Sequence, residues 1–159
     1  MKIALIAHDN KKADMVAFVS KRLKFFNSDG ISIVTTSTTG KHVKHAGIGN
    51  VEFVASGPMG GDAQIAAMVT RGEIDLVIFM RDPLDKHPHD VDIAMLMRVC
   101  DVHNVPLATN YKTASYLIKF LLIKLLLLFC FLHSNHSFSC SILALFELLL
   151  ISFTFKKFN

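Results

Sequence analysis

Short apolar runs recur along the first two thirds of the chain, and polar or turn-forming residues bound each of them. Five runs have the length of a strand: Ile3–Ala7, Ile31–Val34, Val51–Ala55, Leu76–Met80 and Pro106–Thr109. They lack the strict alternation of a half-exposed sheet, as is typical of parallel strands buried on both faces. The pattern therefore predicts five buried strands.

Between these runs the apolar positions follow the period of a helix. One helical face would hold Met15, Val16, Val19, Leu23 and Phe26, and another Ile93, Leu96, Met97 and Cys100. Strands that alternate with helices need right-handed crossovers, and helices then cover both faces of the sheet. We predict an α/β fold: a doubly wound, mainly parallel five-stranded sheet with helices on both faces.

The pattern changes near the end of the chain. Leu117–Leu132 is almost entirely Leu, Ile and Phe around two lysines, and Ile142–Phe155 is interrupted by Glu147. A membrane helix needs about 20 apolar residues, so neither run is a convincing span, although the sequence leaves membrane contact open. We predict a domain over residues 1–118 and an atypical hydrophobic, low-complexity tail over 119–159. Translated noncoding or frameshifted sequence has this composition too, and we prefer that interpretation to a membrane anchor.

Composition narrows the classes of ligand and compartment. The net charge of +4 comes from scattered lysines, which favours small anionic ligands over nucleic acid. The three cysteines have neither metal-ligand nor disulfide spacing, and no histidine cluster has metal-ligand spacing either. The apolar start Met1–Ala7 is too short for a signal peptide, so we expect a cytoplasmic protein. Because the cysteine and histidine spacing does not suit metal ligands, we expect no bound metal.

Polar residues follow each predicted strand, at the sheet edge where doubly wound folds bind ligands. These segments are Ala7-His8-Asp9, Thr35–Gly40, Ser56–Asp62, Arg81-Asp82-Pro83 and Asn110. The turn Ser56–Asp62 holds three glycines before a helix-like run, so its backbone N–H groups suit a phosphate. Asp62 adds a carboxylate to that turn. A phosphate site with a base beside it indicates proton chemistry on a small phosphorylated molecule.

Each motif alone also has a structural interpretation. Asp62 would be a helix N-cap, and His8 a strand-end histidine bonded to backbone. The hydroxyls of Thr35–Thr39 would cap the next helix. The functional hypothesis depends on their joint occurrence at one sheet edge.

Taken in order, the motifs resemble the methylglyoxal synthase family over about residues 1–118. They are Ala7–Lys12, Thr36–Gly40, Ser56–Asp62, Phe79–Leu84, Pro88–Asp92 and Pro106–Asn110. The resemblance implies a lyase that converts dihydroxyacetone phosphate into methylglyoxal and inorganic phosphate, without a cofactor. It also implies that the enzyme is a homohexamer and that its reaction bypasses part of glycolysis. Ser37 stands where many relatives have glycine.

The resemblance also implies the roles of individual residues. Asp62 is the base, His89 acts on the carbonyl and hydroxyl oxygens, and Asp9, Asp82 and Asp92 lie near the site. An aspartate with an ordinary pKa of about 3.9 is a weak base, so burial or these carboxylates are expected to raise the pKa of Asp62. The phosphate group is bound by Lys12, Thr38, Thr39, Ser56 and Gly57. The rest of the substrate is lined by His8, Thr36 and Ser37.

Two alternatives remain at this point. The first is a non-catalytic domain of the same fold that senses an allosteric ligand, although such a domain would not need Asp62, Asp82 and His89 together. The second is an inactive product, because residues 119–159 show no counterpart of the family's closing helix.

Overall fold

A parallel sheet of five strands organises the described part of the chain, residues 1–84 and 90–133 of a computed structural model. The strands are β1 (Lys2–Ala7), β2 (Ser32–Thr36), β3 (Val51–Val54), β4 (Leu76–Met80) and β5 (Leu107–Ala108). Their spatial order is β3-β2-β1-β4-β5, and every neighbouring pair is parallel. Each predicted apolar run overlaps one of these strands, so the predicted doubly wound sheet is confirmed.

Helices connect the strands and cover both faces of the sheet. They are α1 (Lys12–Ser20), α2 (Leu23–Phe26), α3 (Ser37–His45), α4 (Gly61–Thr70), α5 (Asp90–Val102) and α6 (Tyr111–His133). On one face, Ala4 and Ile6 of β1 belong to a buried cluster with Ile65 of α4 and Leu96 of α5. The alternate β1 residues Ile3 and Leu5 are also fully buried, as are Met15 and Phe18 of α1. The alternation of strand side chains explains why both faces of this short strand are apolar.

Helix α3 has no apolar period in the sequence, which predicts only a polar segment, Thr35–Gly40, after the second strand. The structure extends β2 through Thr36 and begins α3 at Ser37. Thr35 and Thr36 are buried and β-branched, which suits a strand. The helix buries only Thr39, Gly40 and Val43, so one apolar side chain marks its inner face.

The chain divides into two units, Met1–Phe120 and Leu121–Asn159. The strands and all described candidate site residues belong to the first unit, and residues 121–133 of the second are helical. Among the described helices, α6 included, none has the length and apolar character needed to cross a membrane. The boundary after residue 118 and the noncoding interpretation of the tail stay predictions, and residues 134–159 lie outside the described residues.

Candidate active site

Hydrogen bonds tie the loops at the carboxyl ends of neighbouring strands. Ser37 donates its N–H to the carbonyl of Ala55 (3.4 Å), joining the loops after β2 and β3. The N–H of His8 reaches the carbonyl of Met80 (3.1 Å), joining the ends of β1 and β4. Arg81 donates to the carbonyl of Thr109 (3.2 Å), which adds the end of β5. The polar segments therefore form one edge, as the sequence predicts.

Glycine is required in the turn between β3 and α4. Gly60 has a φ of +85°, in the left-handed region, and lies between a 3₁₀ turn (Gly57–Met59) and α4. A Cβ on Gly61 would lie 2.1 Å from the carbonyl oxygen of Ala55. The backbone of α4 can therefore start against the end of β3 only without a side chain at Gly61. This close approach places Asp62 at the second position of α4.

Asp62 is fully buried, with 0% of its surface exposed. It is not the N-cap residue, because Gly60 holds that position in α4 and Asp62 lies two residues further along. The structural interpretation of Asp62 as an N-cap is therefore wrong. Removing a carboxyl group from water is costly, and the positive end of the α4 dipole offsets part of that cost. A buried carboxyl at a ligand-binding edge is a candidate for chemistry.

His8 follows the last residue of β1, and its contacts fix the position and the tautomer of its ring. It is 6% exposed, its ring meets Phe79 edge to face at 4.9 Å, and its Nδ1 accepts the N–H of Asp82 (2.9 Å). Because a backbone N–H can only donate, the neutral imidazole carries its proton on Nε2. The carboxylate of Asp82 in turn accepts from Asn10 Nδ2 (3.0 Å) and from the N–H of Leu84 (3.2 Å). The structure thus brings His8 and Asp82 together.

The start of α3 is hydroxyl-rich, yet no hydroxyl caps it. Thr36 is the N-cap and makes no side-chain capping bond, because its hydroxyl donates to Thr39 Oγ1 (3.2 Å) instead. The interpretation of these threonines as caps is therefore wrong. N–H groups in the first turn of a helix have no intrahelical acceptor, so those of Thr38 and Thr39 suit an anion. Thr38 is exposed, Ser37 is half-buried and Thr39 is fully buried.

The other candidate residues are less closely grouped. Lys12 begins α1, has a side chain that is 16% exposed, and pairs with Asp9, whose side chain is 92% exposed. Asp92 is half-buried in the first turn of α5, and within the described residues no hydrogen bond or ion pair joins it to another candidate. Ser56 and Gly57 begin the 3₁₀ turn. His89 lies outside the described residues.

Two chemistries find no support in the described residues. No group of three or more His, Cys, Asp and Glu side chains could hold a metal ion there. Burial raises the pKa of the Cys100 thiol to about 11, so this cysteine is not a reactive nucleophile.

One contributor at this edge was missed by sequence reasoning. Gln64 Oε1 accepts the N–H of Ala55 (2.8 Å), which ties α4 to the end of β3. Gln64 reads in the sequence as an ordinary exposed helix residue, so no pattern identifies it.

Comparison with known proteins agrees with this geometry. The family described as MGS-like domain matches residues 14–109. Methylglyoxal synthase of Moorella thermoacetica is 50% identical over 121 residues, which are 76% of this chain and 93% of that protein. The enzyme of Carboxydothermus hydrogenoformans is 52% identical over 119 residues, 75% of this chain and 97% of that protein.

A solved structure extends the likeness to the fold. The crystal structure of methylglyoxal synthase from Elizabethkingia anophelis NUHP1 superposes with a TM-score of 0.65 at 40% identity. The match covers 73% of this chain and 75% of that one.

Proposed function

We propose that Asp62 is the catalytic base of this enzyme. The chain belongs to the methylglyoxal synthase family. It is a lyase that converts dihydroxyacetone phosphate into methylglyoxal and inorganic phosphate. The observation that carries the proposal is the complete burial of Asp62 at the start of α4, next to the glycine turn. Desolvation strengthens a carboxylate as a base.

The phosphate group of the substrate is assigned to the start of α3 and to the 3₁₀ turn. Thr38 and Thr39 supply backbone N–H groups, and Ser56 and Gly57 supply donors from the neighbouring turn. Lys12 supplies a positive charge beside them, and directional donors together with a point charge are the usual means of phosphate recognition. Thr36 and Ser37 then line the carbon chain between the phosphate and the base.

The reaction needs a proton transfer and an elimination. Asp62 takes a proton from the hydroxyl-bearing carbon next to the carbonyl, and the electron pair of that C–H bond forms an enediolate. The enediolate expels phosphate, which leaves with the electrons of its C–O bond. The hydroxyl carbon becomes the aldehyde as its O–H proton passes to the departing phosphate, and the enolate of methylglyoxal that remains takes up a proton at its terminal carbon to give the product. Neither half of this sequence requires an oxidant or a reductant.

The oxygen atoms of the enediolate need hydrogen-bond donors. His8 holds its proton on Nε2 and is a neutral donor, since its Nδ1 is engaged by the N–H of Asp82. His89 stays the predicted acid or electrophile from the resemblance. A neutral histidine donor with a carboxylate base is the pairing that the isomerase of the same substrate uses. Asp9, Asp82 and Asp92 stay predicted to shape the field around Asp62.

The substitution Asp62→Asn tests the base. We expect kcat to fall by about 10²–10⁴-fold while inorganic phosphate still binds, because the amide keeps the shape but cannot accept the proton. Asp14→Asn is the matched control: Asp14 also lies in the first turn of a helix, but it pairs with Lys11 outside the candidate site. Retention of full activity in Asp62→Asn would remove the proposed base.

The assay on the wild-type chain separates the remaining alternatives. Coupled detection of methylglyoxal and phosphate release is expected from dihydroxyacetone phosphate. Phosphate binding without turnover would instead indicate the sensing domain, and an insoluble full-length chain the inactive product.

Assembly, compartment and pathway are further proposals that rest on the family resemblance. We propose that the protein is a homohexamer in the cytoplasm and that its reaction bypasses part of glycolysis. The buried Cys100 thiol is unpaired, as is usual in a reducing compartment. Light scattering coupled to size exclusion tests the assembly, and a mass other than six chains contradicts it.

A further inference from the structure

Ala7, the last residue of β1, lacks a strand partner on the β2 side. The β1–β2 register pairs Leu5 with Thr35, so its continuation would place Ala7 opposite Ser37. The chain leaves the sheet at that point, because α3 begins at Ser37. On the opposite side, the next N–H along, that of His8, still bonds to Met80 of β4. The N–H and carbonyl of Ala7 therefore face a gap in the β2 ladder.

The hydroxyl of Thr39 fills this gap. Its Oγ1 accepts the N–H of Ala7 (3.2 Å) and donates to the carbonyl of the same residue (3.3 Å). It also accepts the hydroxyl of Thr36 (3.2 Å). A threonine hydroxyl has one proton and two lone pairs, so these three bonds use its full capacity. With Thr39 fully buried, its hydroxyl has no donor left for a phosphate.

We propose that Thr39 is a positioning residue whose side chain and backbone have separate tasks. Its hydroxyl holds the end of β1 against the start of α3, while its backbone N–H, in the first turn of α3, serves the phosphate. His8 follows Ala7 directly, so this tie sets the spacing between the phosphate donors and the histidine. Phosphate and enediolate oxygens are two ends of one three-carbon substrate, and that spacing therefore governs orientation rather than phosphate affinity. The inference rests on the proposed placement of phosphate at α3.

The test compares Thr39→Val with Thr39→Ser in the full-length protein. Valine keeps the shape and the backbone N–H but removes the tie, so we expect kcat to fall about 10- to 100-fold, the scale of a small misplacement of reacting groups. The Kd for inorganic phosphate, measured by calorimetry, should change less than about 3-fold on the same reasoning. Serine restores the hydroxyl and should recover most of kcat.

Thr35→Val is the matched control. Thr35 is as fully buried as Thr39, and its hydroxyl donates to the carbonyl of Thr36 (3.2 Å), not to Ala7. We expect its kcat to stay near that of the wild type. A phosphate Kd weakened about tenfold or more in Thr39→Val with kcat preserved, by contrast, would make the hydroxyl a direct phosphate ligand and overturn the proposal. An unchanged kcat in Thr39→Val, or an equal loss in Thr35→Val, would overturn it as well.

Amide hydrogen exchange in the wild-type protein tests the tie without any variant. We expect the Ala7 amide to stay protected when phosphate is added, relative to the neighbouring His8 amide. Faster exchange at Ala7 on phosphate addition would show the hydroxyl turning to the ligand and would sink the proposal. This measurement does not need catalysis, so a failure of the proposed function and a failure of this inference give different results.

Discussion

Helices α3 and α4 both begin at the edge where the strands end, α3 directly after β2 and α4 after the 3₁₀ turn that follows β3, and neither N-cap residue makes a side-chain capping bond. The first turn of α3 carries hydroxyls, among them the exposed Thr38. The first turn of α4 carries the fully buried carboxylate of Asp62. Both turns present the same positive end of a helix dipole. We expect an anion from outside at α3, whereas at α4 the chain supplies a carboxyl group of its own.

This difference explains how a substrate with a charged end is oriented. A dianionic phosphate is attracted to an uncapped helix start but repelled by a carboxylate already in place. We therefore expect the phosphate at α3 and the adjoining 3₁₀ turn, and the carbon chain at Asp62. The two starts also differ in how they are anchored, because Thr39 ties α3 to the neighbouring strand β1, whereas Gln64 ties α4 to β3, the strand that it follows.

The largest effect is expected from Gly61→Ala, which changes the start of α4 and lowers the free energy of unfolding. The added Cβ would lie 2.1 Å from the backbone oxygen of Ala55, which cannot move aside as a flexible side chain could. We expect a loss of about 3 kcal/mol in the free energy of unfolding, measured with urea. Gly49→Ala is the control, because its nearest neighbour would be 3.7 Å away, an ordinary contact. Equal stability of the two variants would contradict the close approach of α4 to β3.

A smaller effect is expected from Thr38→Asp, which makes the start of α3 resemble that of α4. The new carboxylate would repel phosphate, so KM and the phosphate Kd should rise about tenfold or more, and the rise should shrink with added salt. Stability should not fall, since a carboxylate at a helix start contributes about 0.5 kcal/mol. Thr38→Asn, which adds no charge, should give a clearly smaller rise. Equal effects of Asp and Asn would show that charge is not what distinguishes the two starts.

The smallest effect is expected from Gln64→Met. It removes the acceptor of the Ala55 N–H, and we expect a loss of about 0.5–1 kcal/mol in the free energy of unfolding, because water can replace a bond at an exposed position. Gln64→Glu keeps an acceptor at the same reach and should stay near the wild type. If Glu is as destabilising as Met, the tie does not anchor α4.

The sequence was informative where burial dictates residue type. Leu76–Met80 was predicted to the residue, because a strand buried on both faces must be a continuous apolar run. The edge that carries the site followed from the same five runs, since parallel strands end together. The bounds of helix α3 could not be derived from an apolar period, because it buries threonine, glycine and only one apolar side chain.

The contacts inside the site could not be derived from sequence patterns. The bond from the Asp82 N–H to His8 joins residues 74 positions apart, and the bond of Thr39 to Ala7 joins residues 32 apart. Both depend on side-chain rotamers and on where a strand ends, which no local period encodes. The complete burial of Asp62 likewise depends on the approach allowed at Gly61.

The central place of β1 has a consequence for synthesis of the chain. Ile3 pairs with Leu76, so β1 leaves the ribosome well before its partner and keeps one edge open until β4 is made. At 5–20 residues per second this wait lasts roughly 4–15 s. An open, apolar strand edge is a template for wrong pairing during that time. The nascent chain should therefore depend on chaperones most before residue 80 emerges. We expect this dependence to fall once β4 has paired and the His8–Asp82 contact has formed.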